Sequence, residues 1–419
     1  MRFLHCADIH LDSPLRGLER YEGAPAEEVR GATRRAFENL IQIALRERVD
    51  FIVIAGDLYD GDWPDFNTGL FFAKAMAQLG ESGIAVHVLR GNHDAASKLT
   101  RSLPLPRNVQ LFPDKSPKTF VDDKLGLAIH GQSFATAAVF EDLAAGYPEA
   151  LRGYFNLGVL HTSLTGRPGH DNYAPTTEQV LRAKGYDYWA LGHVHAREIV
   201  SRDPWVVYPG NIQGRHIREQ GPKGCELVTV EDGNITTESV SLDVLRWSEL
   251  AIDVTGMPDL DALFDRVCAD VRSGLAQADG RIVGLRIRVG GTGALHRDLS
   301  ARSEWVVQQL RAVALDASGG NAWLEKVDLR VQPPIDIDRL AAGDDPVGLL
   351  VRELKELAQD RDRLGAFAGD ALRELKQKLP AELSLEEDLR LDAPTVLGDL
   401  LREVQDELLA RLTEAGRAS

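Results

Sequence analysis

Residues 1 to about 245 alternate short apolar runs with polar loops. Residues 3–7 read as a strand that stops at Asp8. Residues 33–48 read as a helix, because Phe37, Leu40, Ile41, Ala44 and Leu45 recur at i, i+3, i+4 spacing on one face. Residues 51–55 are an unbroken apolar run ended by Gly56, the pattern of a strand buried on both faces. A helix follows at 67–79 and a third strand at 84–89, with further apolar runs at 125–129, 157–160, 188–191, 205–208 and 226–230. Strand, helix, strand, helix, strand predicts a parallel α/β sheet. The later strands have shorter connections and predict a second, mixed sheet packed on the first.

The pattern changes near Leu245. Strands at 250–254, 282–289 and 322–331 with helices at 260–271 and 302–313 make a small α/β unit, which Pro333 and Pro334 end. Beyond it the chain is helical. Residues 347–379 carry Leu350, Leu354, Leu357, Leu364 and Leu375 before Pro380, and 395–412 carry a stripe of Leu397, Leu400, Leu401, Val404, Leu408 and Leu412. Three domains result: 1–245, 246–338 and 339–419.

Composition narrows the function classes. The 419 residues are 44% hydrophobic and 27% charged, enough to bury a core without staples, so disorder as the main state is excluded. Charge is 48 basic against 64 acidic, −16 in all, which argues against coating DNA by bulk electrostatics. It leaves room for a nuclease, because divalent metals supply local positive charge. Cys6, Cys225 and Cys268 form no CxxC pair, which excludes a zinc ribbon, and their odd, sparse count argues against a disulfide framework and fits a reducing cytoplasm. No apolar stretch approaches the roughly 20 residues that span a bilayer, and Asp8 and His10 interrupt the start before a secretory signal forms. The expectation is a cytoplasmic protein with no membrane partner.

Five blocks carry the chemistry: Asp8-Ile-His10, Gly56-Asp57-Leu-Tyr-Asp60, Gly91-Asn92-His93-Asp94, Gly158-Val-Leu-His161-Thr and Gly192-His193-Val-His195. Each follows a strand-like run, and α/β sheets present ligands at the carboxyl ends of strands. Asp carboxylates, His nitrogens and an Asn carbonyl suit Mn²⁺, Fe²⁺ or Zn²⁺. Two such ions can clamp a phosphate and hold a hydroxide that attacks phosphorus near neutral pH. Asp-x-His and Gly-Asp-x-x-Asp are weak signals alone. Gly-Asn-His-Asp and Gly-His-x-His are stronger, and all five in this order are specific.

The series resembles the calcineurin-like metallophosphoesterase superfamily. The strings Ala7-Asp-Ile-His-Leu-Asp-Ser-Pro14, Tyr208-Pro-Gly-Asn211 and Gln213-Gly-Arg-His-Ile-Arg-Glu219 are similar to its SbcD branch of bacterial repair nucleases, in the YhaO-like subgroup. The resemblance implies a two-sheet αββα sandwich with a small α/β capping domain and a helical C-terminal tail. It implies one metal on Asp8, His10, Asp57 and His195, and a second on Asp57, Asn92, His161 and His193. His93, polarised by Asp94, would orient or protonate the scissile phosphodiester. The family prefers Mn²⁺, cuts DNA with a two-metal-bound hydroxide, pairs through helices near 33–48 and 66–80, and works with an SMC-like ATPase, here met by the C-terminal helices. Asp60 matches its block without being a carried-over ligand.

Gln213, Arg215 and Arg218 are candidate phosphate contacts, since Arg suits bidentate phosphate recognition. Lys98 and Arg101 are weaker candidates. Plainer roles stand beside these: Asp94 fits the cap of a helix starting at Ala95, Arg215 and Arg218 fit a solvated surface, and the tail stripe fits packing on the chain itself. His5, His87, His130, His170, His216 and His296 lie in no block and read as non-catalytic. Two other functions use the same residues: a small-molecule phosphodiesterase or phosphatase, and a non-catalytic DNA-binding scaffold subunit.

Overall fold

The computed structural model describes residues 1–13, 15, 31–60, 67–96, 105–166, 171–333 and 337–378, with 397–398, 400–401, 404–405, 408–409 and 412. Lys98, Arg101, His170 and Pro334 lie outside the described residues. In chain order the elements are β1 (Arg2–Cys6), α1 (Ala32–Glu47), β2 (Phe51–Ala55), α2 (Asn67–Glu81), β3 (Ala85–Leu89), α3 (Asn92–Ala96), β4 (Val109–Leu111), β5 (Lys118–Asp122), β6 (Leu127–Gly131), β7 (Phe155–His161), α4 (Glu178–Ala183), β8 (Tyr188–Gly192), β9 (Glu198–Arg202), β10 (Trp205–Tyr208), β11 (Gly224–Glu231) and β12 (Asn234–Ser241). There follow β13 (Leu245–Asp253), α5 (Leu260–Ala276), β14 (Ile282–Thr292), α6 (Leu295–Ala301), α7 (Ser303–Ser318), β15 (Ala322–Gln332), α8 (Ile337–Ala341), α9 (Pro346–Gln359) and α10 (Arg361–Lys378). The chain forms two compact units, one of Met1–Leu250, Cys268–Ile287 and Arg311–Lys326, the other of Ala251–Val267, Arg288–Leu310 and Val327–Ser419.

The first unit holds two six-stranded sheets, ordered β12-β11-β1-β2-β3-β4 and β5-β6-β7-β8-β10-β9. In the first, β1 to β4 run parallel and β11 returns antiparallel to β1. In the second, β6, β7, β8 and β10 run parallel between antiparallel β5 and β9. The period-2 alternation of strands sorts the apolar side chains into layers. Leu4, Cys6, Ile52, Ile54, Val86 and Val88 face outward onto Phe37, Leu40 and Ile41 of α1 and Phe72 and Met76 of α2. Their neighbours Phe3, Phe51, Val53, Ala55 and Leu89 face inward onto Leu127, Ile129, Leu157, Val159, Tyr188 and Ala190 of the second sheet. Leu160, Trp189, Leu191 and Tyr208 form that sheet's outer face with Leu181 of α4 and Tyr147. Both central sheets are thus buried on both sides, and their parallel strands end together where the five blocks begin.

In the second unit, Phe264 of α5 packs edge-on to Trp305 of α7 with ring centroids 6.1 Å apart. Residues 347–379, expected as one helix, are α9 and α10, divided at Asp360. The Asp360 Oδ1 accepts from the N–H groups of Asp362 and Arg363, which starts a new helix and stops the old one. The described residues between 397 and 412 are helical. Leu401 and Leu409 are buried there, while Leu400, Val404, Leu408 and Leu412 are exposed.

Candidate functional site

The loop after each parallel strand leaves its ladder by a tight turn. Asp8, His10, Asp57 and His193 all have positive φ, at 50°, 44°, 50° and 97°. That left-handed region costs a non-glycine residue roughly 1–3 kcal/mol, so the packing around it must over-determine it. It does: Asp8 N donates to Gly56 O at 3.0 Å, His10 N to Asp57 O at 3.0 Å, and His193 N to the Asp8 carboxylate at 3.0 Å. Gly91 lies so close that a Cβ there would run into Asp57 Oδ1 and His161 Cε1.

The expected ligands come together. Among the described residues, ligand atoms of Asp8, His10 and His195 lie within 4.8 Å of one another, as do those of Asp8, Asp57 and His161. Asn92 Oδ1 is 3.0 Å from His161 Nε2, and the His193 ring is centred 5.1 Å from the His161 ring. His161, His193 and His195 each have one ring nitrogen committed elsewhere. His161 Nδ1 donates to Ala55 O at 2.9 Å, and His193 Nε2 to Asp171 O at 2.8 Å. A carbonyl can only accept, so these bonds fix both tautomers and leave the other nitrogen with a lone pair. His195 Nδ1 donates to Glu219 Oε1 at 2.6 Å, and its Nε2 faces His10 Nε2 at 3.3 Å. His10 Nδ1 is buried without hydrogen-bond geometry, 3.3 Å from Asp60 Oδ1. Converging nitrogen lone pairs around two buried carboxylates are the donor set of a divalent-metal centre.

The electrostatics agree. Burial, reinforced by Asp57, pushes Asp8 up to about 6 against the pull of His195 and His161. Burial also works on Asp57, but His161, His10 and His93 outweigh it and hold it well below the usual carboxylate range. Burial would lower His161, yet Asp57 raises it to about 9. Without metal, a proton on His161 thus supplies part of the positive charge the carboxylates demand, and a cation would expel it.

Two expected roles need correction. Asp94 does not polarise His93: it is buried, and its oxygens accept the N–H groups of Leu58 at 3.1 Å, Tyr59 at 2.8 Å and Gly91 at 3.1 Å. It clips the ends of β2 and β3 together. The carboxylate on His93 is Asp60, whose Oδ1 is 2.8 Å from Nδ1, while His93 N donates to Asp57 Oδ1 at 3.0 Å. Burial lowers the His93 pKa, but the bond to Asp60 and the charges of Asp57 and Asp60 together outweigh it, so the net shift is upward. The His93 side chain is 41% exposed, open to a substrate that the buried ligands cannot meet directly.

Gln213 is no phosphate contact either. It is 1% exposed, its Nε2 donates to Gly214 O and Leu245 O, and its Oε1 accepts from Val244 N and Leu245 N. Arg215 does reach the cluster: its Nη1 is 3.2 Å from Ser13 Oγ and 3.5 Å from Asp60 Oδ2. Its Nε is buried with no acceptor. Arg218 is exposed, and no bond to the ligand residues is found for it among the described residues. Asp60 and Glu219 sat inside quoted strings, but only the folded loops reveal which histidine each serves.

The model of the calcineurin-like phosphoesterase family matches residues 1–197, and that of the middle domain of metallophosphoesterase YhaO matches 247–332. Over 271 residues the chain is 39% identical to the metallophosphoesterase YhaO of Bacillus subtilis, covering 64% of this chain and 66% of that protein. Over 228 residues it is 27% identical to the DNA double-strand break repair protein Mre11 of Methanopyrus kandleri, covering 50% of this chain and 48% of that one. The matches thus span just under two thirds of the first relative and about half of the second. A dimetal phosphatase from Danio rerio aligns with a TM-score of 0.37 at 13% identity, over 58% of this chain and 96% of that one.

Proposed function

Through residues 1–197 this chain belongs to the calcineurin-like metallophosphoesterases, hydrolases with a dimetal site, and from that premise we propose that it is a metal-dependent DNA nuclease. The observation that carries the chemistry is the convergence of Asp8, His10, Asp57, His161 and His195 with His93 at their open edge. DNA as substrate is supported by the likeness to a protein named for double-strand break repair.

One cation would rest on Asp8, His10, Asp57 and His195, the other on Asp57, Asn92, His161 and His193. Two divalent ions there, Mn²⁺ in our proposal, would supply Lewis acidity and activate water for attack at neutral pH. His93 donates a proton to the leaving oxygen, with Asp60 holding its ring and raising its basicity. Arg215, whose Nη1 lies beside Ser13 Oγ and Asp60 Oδ2 at the edge of the cluster, meets a phosphate oxygen. The exposed Leu400, Val404, Leu408 and Leu412 support docking of the tail on an SMC-like ATPase, and α1 and α2 would pair two copies in the cytoplasm.

The test is cleavage of labelled single- and double-stranded DNA in Mn²⁺, Mg²⁺ or EDTA, beside Asp57→Ala. Metal-dependent cutting that the variant abolishes is the expected result. Hydrolysis of a bis-aryl phosphodiester with intact DNA, in the presence of the ATPase, would assign the chemistry to a smaller substrate.

A further inference from the structure

The segment from Asn211 to Glu219 is bound into the site without a role in substrate contact, Arg215 aside. Glu219 is 7% exposed and uses both oxygens. Oε1 accepts from His195 Nδ1 at 2.6 Å; Oε2 accepts from Asn211 Nδ2 at 2.9 Å and Arg215 N at 2.6 Å. The segment also holds His195 by its carbonyl, which accepts from Asn211 N at 3.3 Å and Lys223 Nζ at 3.1 Å. Gln213 ties the segment's middle to the 244–245 backbone.

We propose that Glu219 is a positioning residue for His195, and that the 211–219 segment holds its carboxylate where it selectively strengthens the cation site on the His10 and His195 side. The inference rests on the proposed metal centre. An imidazole ligates through one lone pair, and a carboxylate on the other nitrogen fixes the tautomer, holds the ring plane and makes the ligand more basic. His10 of the same site has its Nδ1 3.3 Å from the Asp60 carboxylate, whereas His161 and His193 of the other site lean on the neutral carbonyls of Ala55 and Asp171. Ionic support is therefore lopsided. A glutamine at 219 must either turn its NH₂ toward Asn211 Nδ2 and Arg215 N, where donors already point, or toward His195 Nδ1, which transfers the ring proton to Nε2.

The experiment is Mn²⁺ titration of the full chain by calorimetry and electron paramagnetic resonance, for wild type, Glu219→Gln, His195→Ala and the double variant. In Glu219→Gln one of the two binding steps should weaken about 10- to 100-fold, the scale of such outer contacts, with the other step unmoved. Glu219→Gln should add nothing to the loss at that step in the His195→Ala background. Asn211→Ala, which frees one Glu219 oxygen, should weaken the same step by less and covers the case in which Glu219→Gln does not fold. Both steps unchanged, both weakened equally with a lower melting temperature in EDTA, or full additivity with His195→Ala would overturn the proposal. A wild-type chain that binds no Mn²⁺ would instead overturn the metal centre on which it rests.

Discussion

At the scale of single residues, carboxylates that lie together in space have separated roles. Asp57, Asp60 and Asp94 reach the same few ångströms of space, yet Asp57 faces the ligand histidines, Asp60 holds His93 and Asp94 is spent on backbone N–H groups. The cluster of Asp8, His10, Asp57, His161 and His195 was legible because each member sits in a short block directly behind a strand. The partner of His93 was not, because Asp60 is far from it in sequence while Asp94 is adjacent, and adjacency is a poor guide once a residue's oxygens are claimed by main-chain donors. The assignments predict three distinguishable variants. His93→Ala should keep its Mn²⁺ stoichiometry and lose about 10²- to 10⁴-fold in turnover of a bis-aryl phosphodiester. Asp60→Asn should move a limb of the pH–rate profile to lower pH, since the carboxylate is what raises His93. Asp94→Asn should lower the melting temperature and leave that profile in place; a shifted profile in Asp94→Asn would return Asp94 to the role first expected of it.

Among the elements, those with continuous apolar runs or a clear helical stripe were read from sequence to within a few residues, because burial on both faces leaves an unmistakable pattern. The strands missed were β4, β5, β9 and β12, the edges of the two sheets, where exposed positions such as Thr236, Glu238 and Ser239 leave no apolar run to read. A histidine within a central strand was also opaque. His5 of β1 points between the sheets, its Nδ1 3.1 Å from Tyr188 Oη and its Nε2 donating to Leu191 O at 3.0 Å. Burial holds its pKa at about 3, against 6.5 for the free side chain. Above pH 6.5 the ring is neutral folded or unfolded, and its full contribution to stability is present. Below that, the unfolded chain takes a proton the native one refuses, so stability falls by up to about 1.4 kcal/mol per pH unit until the folded pKa is reached. Urea unfolding in EDTA should therefore show wild type losing stability faster than His5→Gln as pH drops from 8 toward 5. Parallel curves would mean that His5 is protonated in the native state.

For the whole molecule the deciding quantity is the net charge of −16, set against a proposed substrate that is itself a polyanion. A protein that holds DNA by a basic surface releases many counterions, and its affinity falls steeply with salt. Here acidic residues outnumber basic ones, and among the described residues Arg215 and Lys223 are basic side chains beside the candidate site. The local positive charge that draws in a phosphodiester must then come largely from the bound cations, which couples substrate affinity to metal occupancy. Fluorescence anisotropy with a nuclease-resistant phosphorothioate duplex separates this arrangement from a basic-groove binder. Affinity should rise at least about tenfold between EDTA and saturating Mn²⁺, and the salt slope should correspond to no more than about three phosphates. Asp57→Ala should bind as wild type does in EDTA, whatever the Mn²⁺ concentration. Tight binding in EDTA with a steep salt slope would show that DNA is gripped away from the metal ligands, and that the acidic balance of the chain does not govern how it meets its substrate.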